Sequence, residues 1–178
     1  MAAIWDAVRD YGPVIGLVGV ALTLWINGAR AERGRRRENH ARAVEAVVAY
    51  QEMPYAIRRR RHEPAERSGE RVRLSTAFGD VQAELASCEA LMRADPDADV
   101  RAGFARLAAT LKNHAGTMAK EGWRRPPITK DSEMSLGDVH IALEPVRAEQ
   151  QRFEETAARS TRPLKRKILE ALRFASTD

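Results

Sequence analysis

Apolar residues along this chain follow three unlike patterns, and each predicts a different kind of helix. The first pattern is continuous. Tyr11 to Ile26, YGPVIGLVGVALTLWI, holds sixteen residues without a charge. A full membrane span takes about 20 such residues. Trp5 and Trp25 frame the run twenty residues apart, roughly 30 Å of helix at about 1.5 Å per residue, which is the separation of two interfacial aromatic belts. The pattern predicts a transmembrane helix over 11–27, with Asp6, Arg9 and Asp10 at the outer headgroup level.

The second pattern is thin. After Asn27 the sequence stays helix-compatible through Met53, with Ala41, Val44, Val47, Val48 and Gln51 as its only apolar stripe. This predicts a stalk helix that is bent or broken at Pro54, where an N–H is missing and the ring meets the preceding turn. The polar stretch Arg58–Gly69 then reads as a linker.

The third pattern has the spacing of packed helices. Leu74, Phe78, Val81, Leu85, Cys88 and Met92 recur every three or four residues, and Val100, Phe104, Leu107, Leu111 and Met118 do the same. Asp95-Pro96-Asp97 lies between them as a turn and helix cap, so the two helices form an antiparallel hairpin. Leu136, Val139, His140, Leu143, Val146 and Phe153 mark a further helix, interrupted or restarted near Pro145. Leu164, Ile168, Leu169 and Leu172 mark a last one after Pro163.

The expected fold class is all-α: a single N-terminal transmembrane helix followed by a stalk helix and a small cytoplasmic helical bundle. The divisions are a short extracytoplasmic N-terminus (1–10), the transmembrane helix (11–27), a basic juxtamembrane stalk helix (28–53), a basic linker (54–71) and the helical bundle domain (72–178). An aromatic content of 6% is low, so aliphatic side chains must form most of the core. A single cysteine, Cys88, excludes a disulfide framework within one chain and fits a reducing compartment.

Charge sets the direction of the anchor. The net +5 is concentrated in residues 28–73, which carry thirteen arginines against seven glutamates. Arg30, Arg33, Arg35, Arg36 and Arg37 follow the apolar run at once, whereas Arg9 stands alone before it. Positive flanks stay inside, which places the chain in the inner or plasma membrane, single-pass, with its N-terminus outside and its C-terminal domain cytoplasmic. A cleaved signal peptide carries its charges ahead of the apolar core and does not fit. The interface residues are then Trp5, Tyr11 and Trp25 with Arg30, Arg33, Arg35, Arg36 and Arg37, the arginines meeting anionic inner-leaflet headgroups.

Two further features point to association. Gly12 and Gly16 form a GxxxG pair with Gly19 nearby, a small-residue face on which two membrane helices can approach, so a homo-oligomer is a candidate assembly. Arg58, Arg59, Arg60 and Arg61 form a separate basic tract, a candidate contact for an acidic protein partner. The tract lacks interleaved aromatics, and nucleic acid is disfavoured as its partner. Trp123 beside Arg124 and Arg125 reads as a ring packed under arginines.

Catalytic patterns are missing. The sequence has no HExxH, no GxxxxGK[ST] or GxGxxG, and no GxSxG elbow. His114 lies beside the apolar stripe of the second hairpin helix and, like His140, reads as a packed histidine with a hydrogen-bond partner. Cys88 reads as a packed thiol. No cofactor and no metal are expected. The leading expectation is a membrane-anchored interaction or scaffold module without enzyme activity. Its alternatives are a membrane-active effector or pore-type subunit, and an enzyme with a dispersed site around His114.

Overall fold

The structure, a computed structural model, describes residues 2–61, 63, 65–128 and 130–162, with the backbone alone at 2–20, 22 and 131. Every regular element among them is helical: α1 (Ala2–Arg58), α2 (Arg67–Arg93), α3 (Ala98–Arg124), a 3₁₀ turn (Asp131–Glu133), α4 (Gly137–Ala142) and α5 (Glu144–Ser160). The chain is all-α, as the apolar spacing predicts. The helix expected after Pro163 lies outside the described residues.

Two compact units divide the chain, Met1–Arg37 and Glu38–Asp178. In the first, the side chains of Trp5, Tyr11, Gly12, Gly16 and Gly19 are outside the described residues, as are most of those in the 11–27 run. Among the described residues no helix is long and apolar enough to cross a membrane. Leu24 and Trp25, at the end of the run, are each 67% exposed.

The second unit is a four-helix bundle, and its contacts fix the directions. Arg42 pairs with Glu84, and Tyr50 stacks edge-on against Phe78 with ring centroids 5.2 Å apart, so the second half of α1 runs antiparallel to α2. Glu89 pairs with Lys112 across the α2–α3 hairpin, which is antiparallel as expected. Arg59 reaches the Met134 carbonyl, and Gln51 bonds Gln150, so the 3₁₀–α4–α5 segment returns antiparallel to α1. The order is up, down, up, down.

Local chemistry explains the helix ends. Asp97 is the cap of α3, with its carboxylate accepting from the Asp99 N–H. α3 stops where Arg125 turns extended (φ −80°, ψ 150°), the conformation required of a residue before proline, here Pro126. Pro145 sits in the first turn of α5, where its missing N–H costs nothing. Leu136 precedes α4 with φ 47° and ψ 48°, a left-handed conformation, and is only 4% exposed. Burial of its side chain holds a backbone state that would otherwise cost about 1 kcal/mol or more.

The helix at residues 28–53 departs from the expectation of a stalk. Ala43, Ala46, Val47, Tyr50 and Met53 are buried, while Ala41 and Val48 of the expected stripe are exposed and Val44 is half-buried. The inward face therefore keeps Val47 and Gln51 of that stripe and is shifted toward Ala43, Ala46, Tyr50 and Met53. Residues 38–58 belong to the bundle, whose boundary falls between Arg37 and Glu38 rather than near 72. Pro54 does not end the helix, which continues to Arg58. The ring is buried, as are Met53 and Ile57. Burying an aliphatic side chain such as Ile57 contributes roughly 1.5–3 kcal/mol, enough to offset much of a proline's cost in the last helical turn. Gly122 on α3 makes room for it: a Cβ there would meet Ile57 Cγ2 at 3.2 Å.

The centre of the core is Phe104 on α3 against Phe153 on α5, with ring centroids 5.2 Å apart and both rings about 1% exposed. Leu107, Leu111, Val100, Val139, Leu143 and Val146 complete it with no more than 1% exposure.

Candidate functional site

At the end of the bundle where α1 and α3 stop, helix carbonyls run out of N–H partners and arginines supply them. Arg60 donates to the carbonyls of Ile57, Gly122 and Arg125, thereby closing the last turns of α1 and α3 together. Its guanidinium lies 5.6 Å from the centroid of the Trp123 ring. Arg58 donates to the Pro126 carbonyl at 3.0 Å, and its own carbonyl accepts from the Ile128 N–H. Arg59 donates to the Met134 carbonyl and sits over the Tyr55 ring. Arg61 pairs with Glu66 at 2.7 Å. Cations at helix C-termini also meet the negative end of the macrodipole.

The tract Arg58–Arg61 is thus occupied mainly within the fold. Backbone carbonyls take three of the four guanidiniums, and Glu66 takes the fourth. The Arg58 Nε is buried and has no hydrogen-bond partner among the described residues. Trp123 packs under an arginine as expected, although the arginine is Arg60 and not its chain neighbours.

Beside this clamp lies a groove of about 480 Å³. Arg60, Arg61, Arg67, Arg71, Arg124 and Arg125 line it, with Trp123, Pro126 and Pro127 as the apolar wall and Glu70 as the only carboxylate. Glu70 is turned to Arg73, which it meets at 2.8 and 2.9 Å. That hydrogen bond holds its carboxyl below the usual carboxylate range. Burial lowers the affinity of Arg60 for its proton, and the nearby charges of Arg58, Arg71 and Arg67 lower it further. Arg125 is neutralised by Asp138 at 2.7 Å and more distantly by Glu121. Arg71 and Arg124 have no hydrogen-bond or ion-pair partner among the described residues.

A second polar cluster occupies the opposite end. His40 Nε2 and Asp95 Oδ2 are 2.9 Å apart, with side chains 7% and 4% exposed. Asp95 Oδ1 accepts from the Asp97 N–H, and the Asp95 carbonyl accepts from Arg101. The His40 ring also lies edge-on to Phe153 at 6.2 Å. This pair ties α1 to the α2–α3 turn across 55 residues of sequence. Local sequence pattern marks Asp95 only as a turn residue and gives no signal for His40.

The remaining sequence candidates separate clearly. His114 is half-buried, with no hydrogen-bond partner among the described residues. His140 is exposed and meets Arg147, which corrects the expectation that it packs inside; Val139 and Leu143 take the inward positions. Cys88 is fully buried, within 3.7 Å of the Arg42 carbonyl and 3.8 Å of Glu84, and burial pushes its thiol up. Among the described residues no group of three histidines, cysteines or carboxylates could hold a metal. In the juxtamembrane segment Trp25, Arg30, Arg35 and Arg37 are exposed, Arg33 and Arg36 are half-buried, and Arg35 pairs with Glu32 at 2.7 Å.

Comparison with known proteins finds no match: no family model matches the chain, nor does any curated protein or solved structure.

Proposed function

We propose that this protein is a membrane-anchored helical interaction module, held by residues 11–27 with its bundle on the cytoplasmic face. One juxtaposition carries the reading: an uncharged run ends on exposed Leu24 and Trp25 and is followed within twelve residues by five arginines. Large apolar side chains left in water at the end of such a run call for cover, and a bilayer supplies it. The arginines then fix direction and meet anionic headgroups, each contributing roughly 1 kcal/mol near the surface. The bundle that follows has a well-filled core of its own, a body suited to presenting a surface on one side of a membrane.

Fractionation tests the anchor. The full-length chain is expected to stay in the membrane pellet through a carbonate wash, and a C-terminal tag to resist external protease in intact cells. Recovery of the chain in the carbonate supernatant overturns the proposal. Cleavage of that tag from outside overturns the orientation.

A further inference from the structure

We infer that the arginine-lined groove between the start of α2 and the end of α3 is a binding site for a phosphate ester, with Arg71 and Arg124 as its principal ligands. Six guanidiniums face this groove against one carboxylate, and that carboxylate is satisfied by Arg73. Four of the six have bonds within the protein: Arg60 on helix carbonyls, Arg61 on Glu66, Arg125 on Asp138, and Arg67 with a partner of its own. Arg71 and Arg124 remain, one from each helix.

Converging like charges are unfavourable, and the charges of Arg58, Arg71 and Arg67 add to the larger effect of burial in lowering the proton affinity of Arg60. A dianion relieves the repulsion. Arginine's planar fork suits phosphate because two N–H groups can meet two oxygens at once. The first turn of α2 adds the positive end of a helix dipole to the same groove. The size of the space and its Trp123–Pro126–Pro127 wall favour an ester with an organic body over a bare ion. Such an ester is either a soluble metabolite or the headgroup of an anionic lipid. The site stands on the bundle alone and does not depend on the proposed anchor.

The test uses the full-length chain in neutral detergent micelles, in a W5F/W25F background so that emission reports Trp123. One arm titrates glycerol 3-phosphate, and the other dopes the micelles with phosphatidylglycerol, with phosphatidylcholine as the reference. A saturable change in the first arm assigns a soluble ester, and a change confined to phosphatidylglycerol assigns a headgroup. In either case Arg71→Ala and Arg124→Ala should each weaken apparent affinity about tenfold, the effect expected for loss of one charge-assisted contact. R124K should retain part of it. The R106A/R159A variant, which removes two positive charges away from the groove, should bind as the parent does. Circular dichroism confirms that the variants are folded. Absence of a saturable response in both arms overturns the inference. So does an equal loss in R106A/R159A, which would make the attraction one of net charge.

Discussion

At one end of the bundle His40 and Asp95 face each other at 2.9 Å, almost wholly removed from water. At the other, about 27 Å along α1 at 1.5 Å per residue, Arg58, Arg59 and Arg60 reach main-chain carbonyls from partly exposed positions. One end ties α1 to the α2–α3 turn and the other ties it to the end of α3, and both use polar side chains for it. They differ in what is left over. The His40–Asp95 end closes on itself, since each Asp95 carboxylate oxygen has a partner. The arginine end satisfies carbonyls, which bring no countercharge, and so leaves an excess of positive charge beside Trp123. A buried polar pair contributes to stability and register, whereas an uncompensated surface charge is available to a ligand.

Substitutions sharpen this contrast. The largest effect is expected at the core shared by both ends: Phe104→Ala should cost about 3–5 kcal/mol in denaturant unfolding, since the ring is almost fully buried. Asp95→Ala should follow at about 2–3 kcal/mol, because it strips His40 of its buried partner and the Asp97 N–H of its acceptor. If Asp95→Ala leaves the unfolding midpoint unchanged, the two ends do not differ in the way described. Arg60→Ala should cost about 1 kcal/mol, reduced by partial exposure. Arg61→Ala, at a solvent-exposed ion pair, should not move the midpoint measurably.

Cys88 offers a pH readout away from both ends. Its folded-state pKa is raised by burial, so the folded chain holds the thiol proton more tightly than the unfolded chain does. The stability this contributes is complete below the ordinary thiol pKa and is lost as pH rises through the higher folded value. Unfolding midpoints should therefore fall between neutral pH and about pH 9.5, above the ordinary thiol range of about 8.5, and the fall should be smaller in Cys88→Val. In the native protein at neutral pH the thiol should resist alkylation until denaturant is added.

How much of this was legible from residues alone depends on how local the cause is. The α2–α3 hairpin is written in consecutive spacings, and Asp97 caps α3 where a short polar residue after proline announces it. The inward face of α1 is not so marked. Its first two core positions are Ala43 and Ala46, weak apolar signals, while the more conspicuous Val48 points to solvent. Pro54 reads as a breaker because sequence shows the lost N–H but not the burial of Met53 and Ile57 around it. His40 and Asp95 share no local pattern at all, being brought together only by the return of the chain. The arginine tract was visible, yet its partners are main-chain oxygens, which every residue carries and no sequence distinguishes. Of the groove, the sequence displays Trp123-Arg124-Arg125, and its juxtaposition with Arg67 and Arg71 requires the bundle.

Leu136 shows what such compactness leaves to variation. Its backbone suits glycine, but its isobutyl group fills the core beside the start of α4. Glycine would release a strained dihedral and open a void; any β-branched residue would fill part of the void and aggravate the strain. Each route trades one of these two costs against the other, so a change at this corner of the molecule calls for compensation from the neighbours that surround it.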